Sequence, residues 1–180
     1  MYRLLFYSLF IIFKLTLGLN IYGQKYLSEV RVLYKAATLE ACEAEKLLNF
    51  IEDKYLVKDF PVFLAYLGSS QAMMADCVSL PHKKLSYFKE GTNNINKAVS
   101  LAIDNHEIRF LRLQIQVHSP DFLNYNNEIV EDKKMIFEYF QLSLQKGVVE
   151  EYTKYLAKSL QQTVNLNVEE KQIIQNIITD

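Results

Sequence analysis

Arg109 and Arg112 stand three residues apart in a segment with helical periodicity, a spacing that puts two guanidinium groups on one helix face. Side by side they could grip a carboxylate or phosphate as a fork. The same fork can tie the chain to itself through Glu131 or Asp132, and this internal pairing is the expectation. Tyr125 belongs to the aromatic stretch Phe122-Leu123-Asn124-Tyr125, which could line a groove for a peptide or a partner helix. Arg109, Arg112, Tyr125 and Asp132 are therefore the candidate binding residues. Cys42 and Cys77 are the two cysteines of the chain. On neighbouring helices they can join as a disulfide where both side chains point across the interface. Otherwise they are small packing residues.

Other chemistries lack their residues. His118, Asp121 and Glu128 lie near one another in sequence, but no paired-histidine spacing, His-Glu-x-x-His helix or cysteine cluster accompanies them. The expectation for Asp121 is a turn and for His118 a helix end. There is no glycine-rich phosphate loop, no serine in a nucleophile elbow and no coupled Cys/His motif. Carboxylates are plentiful but dispersed on polar helix faces. No cofactor or metal is expected.

The elements that must position these residues are helical. Val30, Leu33, Tyr34, Ala37, Ala41, Ala44, Leu48 and Ile51 recur every three or four positions, which predicts one amphipathic helix from Tyr26 to Ile51. Pro61 suits the first turn of a second helix reaching Cys77, apolar nearly all round and therefore buried. Its small residues, Ala65, Gly68, Ser69, Ala72 and Ala75, predict close approach to the alanine face of the first helix, as an antiparallel hairpin. Pro81 opens a third helix to about Ile103, weakened at Gly91, Asn93, Asn94 and Asn96, where a kink or break is expected. Asp104 and Glu107 read as a capping box for a fourth helix, His106 to Val117. Its end, Leu113-Gln114-Ile115-Gln116-Val117, alternates as a strand would, but without a partner strand its backbone would be unpaired, so helix is preferred. After a turn at Ser119-Pro120-Asp121 the aromatic loop should be pinned to the core. A fifth helix runs from about Glu128 to Lys146 and stops at Gly147, a sixth from Val148 to about Gln162. Asn167 and Glu170 form a capping box before a short terminal helix carrying Ile173, Ile174, Ile177 and Ile178.

With 180 residues the chain suits one domain, and five glycines and three prolines are too few to punctuate a strand-rich fold, so the class is all-α. Twenty basic residues stand against 21 acidic ones, a net charge of −1 that offers no basic field to nucleic acid. Met1-Tyr2-Arg3 followed by the apolar run Leu4 to Phe13 and the small residue Gly23 has the layout of a secretory signal peptide. Cleavage between Gly23 and Gln24 would leave residues 24–180 as a single helical domain. It removes two of the 20 basic residues and none of the 21 acidic ones, leaving a net charge of −3. Left uncleaved, the segment would be a membrane anchor, although Lys14 interrupts its apolar run, and membrane contact is expected in that case alone.

Helices paired by short loops, with small residues on one and aromatic residues on the next, resemble helical repeats. Leu67-Gly68, and Ala98-Val99 followed by Asp104-Asn105, are similar to parts of the tetratricopeptide pattern, spaced more widely than that repeat places them and with Ile103 where its closing proline would stand. As a set, Lys84-Leu-Ser-Tyr-Phe88, Arg109-Phe-Leu-Arg-Leu113, Asp121-Phe-Leu-Asn-Tyr125 and Glu131-Asp-Lys133 resemble an uncharacterised family of small secreted helical proteins of Gram-negative bacteria, over roughly residues 24 to 160. The resemblance implies export and assigns no activity. The expectation is an exported, periplasmic or extracellular, non-enzymatic interaction module that binds a protein or peptide. A membrane-anchored structural subunit and a helical small-ligand-binding protein or enzyme are the alternatives.

Overall fold

The computed structural model describes residues 23–53 and 60–180, and within them the fold is all-α, with no strand. The segment Met1 to Tyr22, on which the signal-peptide expectation rests, lies outside the described residues. Gly23 and Gln24 open the described stretch of α1 (residues 23–39), with Gly23 buried against the Phe60 ring.

The helix expected from Tyr26 to Ile51 is two helices. Glu40 turns extended at φ −142°, a 3-10 turn follows at Ala41–Glu43, and α2 is Ala44–Asp53. A helical face repeats at seven residues, so Ala37 and Ala44 read as one stripe across the elbow although the axis bends between them. Both still pack on Met74, and the disulfide Cys42–Cys77 fixes the elbow to the end of α3 with Cα atoms 5.2 Å apart.

Helix α3 (Pro61–Cys77) has proline in its first turn and is buried at every position from Phe63 to Ala72, as its lack of a polar face requires. Of its small residues, Gly68 and Ala72 lie against Gly91 of α4 (Pro81–Leu101), while its Met74 packs on Ala37 and Ala44 of the expected alanine face. Gly68 meets Gly91, Gln71 is hydrogen-bonded to Glu90 and Asn94, and Tyr87 reaches the Met73–Cys77 end, so the pair runs antiparallel. Helix α4 is continuous through Gly91 with no break. The glycine that costs helix propensity allows the two backbones to touch.

The cap of α5 (His106–His118) is Asn105, whose side chain accepts from the amides of Glu107 and Ile108; Asp104 does not cap it and the Glu107 carboxylate is engaged elsewhere. The alternating stretch Leu113 to Val117 is helical. It alternates because α5 is enclosed: every residue from Glu107 to Gln116 is buried, so its polar side chains have protein partners instead of water.

After a 3-10 turn at Asp121–Leu123, Phe122 is 84% exposed, so the aromatic loop is held by Tyr125 alone of its two rings, edge-on to Phe88 and hydrogen-bonded to Asn96. Helix α6 (Ile129–Lys146) ends at Gly147 in the left-handed region, φ +61°. The next helix, α7 (Glu151–Thr163), begins three residues later than Val148, leaving Val148 exposed. Asn167 and Glu170 make a complete capping box at the start of α8 (Val168–Thr179), where Ile174 and Ile177 face the core. The main hydrophobic core draws on all eight helices, α4 contributing Ala98 and Val99 near its end.

Candidate functional site

The buried polar residues of α5 divide into two groups. Near the helix start, Glu107 receives Arg31 of α1 in a two-pronged ion pair at 2.9 and 2.6 Å, and the Tyr66 hydroxyl of α3 donates to the same carboxylate at 2.6 Å. Tyr66 is also 2.6 Å from the Tyr152 hydroxyl of α7, and the Arg31 guanidinium lies over the Tyr152 ring at 3.7 Å. One carboxylate thereby connects four helices. Burial alone would pull the Arg31 pKa down, but the hydrogen bond and charge of Glu107 outweigh it and hold the guanidinium above its usual value. Burial pushes the Tyr66 phenol far up, and the nearby Tyr152 and Glu107 add to it, so Tyr66 stays a proton donor. Beside this group His106 stacks on Tyr139 of α6, ring centroids 3.4 Å apart and planes 4° from parallel. Loss of solvent lowers its pKa to about 4; the charge of Glu107 raises it and that of Arg31 lowers it further.

One to three turns along, Arg109, Arg112 and Gln116 converge on Asp132 of α6. Arg109 donates to Oδ1 at 3.0 Å, Arg112 donates to Oδ1 and Oδ2 at 2.7 Å each, and Gln116 donates to Oδ2 at 2.8 Å. Arg109 also reaches Glu131 at 2.9 Å and the Ile103 carbonyl at 2.9 Å, while Gln116 accepts from the Glu128 amide at 3.0 Å. Asp132, with no solvent exposure, takes four hydrogen bonds, which fills its acceptor capacity. The spacing of 109, 112 and 116 on one helix face is what allows all three to meet one carboxylate. Of the four candidate binding residues, Arg109 and Arg112 are thus both brought onto Asp132. Tyr125 stands apart on Asn96 and Phe88. His118 is hydrogen-bonded to the Gln114 carbonyl, Asp121 starts the 3-10 turn and Glu128 precedes α6. Among the described residues no three His, Cys, Asp or Glu side chains are grouped to hold a metal ion.

The Glu107 group was not visible in the sequence because Glu107 suited a capping box and Arg31 lay on a polar face. Tyr66 carried the available signal: a tyrosine inside a helix with no polar face needs a partner for its hydroxyl.

An open groove of about 330 Å³ lies where α5 ends, α6 begins and α7 hands over to α8. Val117, Ile129, Val130 and Val164 provide its apolar surface, and Gln116, Ser119, Asn126, Thr163 and Asn165 its neutral polar groups. Of its two charged residues, Lys133 is held by Glu170 at 2.9 Å and Asp121 belongs to the 3-10 turn after α5. Gln116 links the groove to the Asp132 network, so the same contacts that bind α5 to α6 fix one of its walls.

Comparison with protein-family models, with curated proteins and with solved structures yields no match for this chain.

Proposed function

We propose that this chain is an exported, non-enzymatic helical interaction module, of tetratricopeptide-like construction, whose groove at the α5–α6–α7/α8 junction receives a segment of a protein or peptide. The observation that carries the reading is the lining of that groove. Aliphatic side chains interspersed with neutral amides and hydroxyls suit an extended main chain, which needs hydrogen-bonding partners and apolar contacts rather than a strong charge. Arg109 and Arg112, the groups best suited to grip an anionic ligand, are committed to Asp132. Export is supported by the Cys42–Cys77 disulfide, a bond at home in an oxidising compartment, and by the layout of residues 1 to 23.

A photo-crosslinking side chain at Val130, 78% exposed on the groove, and another at Leu142, 46% exposed farther along α6, test the reading in producing cells. Adducts to a discrete polypeptide at Val130 and not at Leu142 are expected. Equal adducts at both positions, or none at Val130, would remove the groove as a binding site. Recovery of the exported chain with Gln24 as its first residue is the expected outcome for processing, and retention of Met1 on a membrane-bound chain would replace export with anchoring.

A further inference from the structure

The start of α4 stands out from the rest of the surface. Every residue from Ser79 to Ser86, at the tip of the α3–α4 hairpin, is exposed, including Leu80 at 49% and Leu85 at 42%. In this near-neutral chain, the thirteen positions between Asp76 and Glu90 contain Lys83, Lys84, Lys89 and His82 and no acidic residue. Among the described residues Lys83, Lys84 and Lys89 are in no ion pair; several other lysines share that, but here three fall within seven positions that hold no carboxylate. The tip is also braced. The Cys42–Cys77 disulfide lies four residues before Pro81, and Tyr87 packs with Met74, Ala37 and Ala44 at the elbow. A helix end fixed in this way projects its side chains without losing much freedom on binding.

We propose that this hairpin tip is a second docking surface, distinct from the groove, which inserts into an acidic, apolar-floored socket on a protein partner. Charge complementarity is the argument for an acidic partner: three ammonium groups without a carboxylate on one short helix end attract carboxylates and repel a basic surface. The angular positions of the side chains decide between a socket and a lipid surface. A helix lying on a membrane segregates its apolar and basic faces. Leu80 is the extended N-cap, off the helical spiral, and at about 100° per residue Lys89 stands roughly 40° to one side of Leu85, Lys84 roughly 100° to the other and Lys83 roughly 160° away. No single face can enter a bilayer while another stays wet. A concave partner that encloses the tip contacts both leucines and all three lysines together.

Zero-length carbodiimide coupling reads this contact directly, because it joins a lysine amine to a carboxylate as an amide with loss of water to the reagent. Cells producing the full chain are treated, and the coupled peptides are sequenced by mass spectrometry. The expected products join Lys83, Lys84 or Lys89 to an Asp or Glu of one other polypeptide. Their yield should fall about tenfold or more when Leu80→Asp and Leu85→Asp are introduced, although the lysines remain, and should fall as salt rises. The exposure of both leucines means that this variant should melt with the wild type; if it does not, Leu80→Ser with Leu85→Ser serves instead. The proposal is overturned by coupling indifferent to the leucines, by coupling only between two copies of this chain, by an absence of intermolecular products at these lysines, or by binding to phosphatidylglycerol vesicles as the sole interaction of the tip.

Discussion

Gly68 and Gly91 face each other so closely that a β-carbon placed on either would lie 2.5 Å from the other's carbonyl oxygen. The obstacle in each case is backbone, which cannot swing aside as a side-chain tip can. Alanine at Gly68 or Gly91 gains about 1 kcal/mol of helix propensity, yet it must push apart helices that touch backbone to backbone. Overpacking of about 1–3 kcal/mol or more should therefore exceed the gain. Urea denaturation of Gly68→Ala and Gly91→Ala is expected to show net destabilisation in both. Gly147→Ala separates this effect from backbone conformation: nothing lies within 4 Å of its added β-carbon, but its φ of +61° costs a side chain about 1–2 kcal/mol. Unchanged midpoints for the first two variants would mean that the helices separate freely.

The Asp132 network predicts an asymmetry between breaking it and replacing it. Asp132→Ala leaves Arg109 and Arg112, both buried, without their shared counter-charge, and a broken buried pair costs about 3–5 kcal/mol. Replacing all three residues with apolar ones of similar volume, Arg109→Met, Arg112→Met and Asp132→Leu, removes the desolvated charges as well. The triple variant should recover at least half of the loss seen with Asp132→Ala in urea melts. A loss within about 1 kcal/mol for Asp132→Ala would show that water reaches the guanidinium groups and that α5 and α6 are held by apolar packing instead.

Helix content was legible in the sequence where a segment has one wet face or none, and the bounds of α3 follow from Pro61 and the end of its apolar run. Contacts between distant segments were less so. The elbow at Glu40 hides because Ala37 and Ala44 keep a seven-residue spacing whether or not the axis bends. Gly91 carries opposite meanings, a weak point in an isolated helix and a contact point in a packed pair, and its role depends on the position of Gly68 across the interface. The pairing of Arg109 and Arg112 with Asp132 could be anticipated because all lie within 24 residues of one another on consecutive helices. Glu107 binds Arg31 across 76 residues, and no local spacing encodes that. The groove is a product of three helix ends meeting, so none of its segments displays it alone.

The disulfide predicts a redox-dependent stability. It closes a loop of 35 residues, and the chain-entropy relation gives such a cross-link about 3–4 kcal/mol by restricting the unfolded chain. Reduction, or Cys42→Ser with Cys77→Ser, should lower the unfolding free energy from urea melts by that amount, and the two treatments should agree. Cys42 is exposed, so a small thiol reductant can reach the bond without prior unfolding. Equal midpoints with and without reductant, in a sample shown by mass to contain the bond, would contradict the stabilising role.

His106 predicts the direction of a pH dependence. An unfolded histidine titrates near 6.5, whereas burial against Tyr139 lowers this one to about 4 in the fold. Between these values the unfolded chain binds a proton that the native chain refuses, so stability rises with pH across the window. The contribution is intact above about 6.5, is progressively lost as pH falls, and is exhausted below about 4. With allowance for partial exposure the loss amounts to about 2–3 kcal/mol. Carboxylates titrate in the same range, and His106→Phe separates the two effects because phenylalanine can keep the stack on Tyr139 and carries no titrating proton. Unfolding free energies from urea melts at about pH 7.5 and about pH 4 should differ less in His106→Phe than in the wild type, by that same 2–3 kcal/mol. If both lose stability equally, protonation elsewhere causes the acid weakening and His106 reaches solvent when charged.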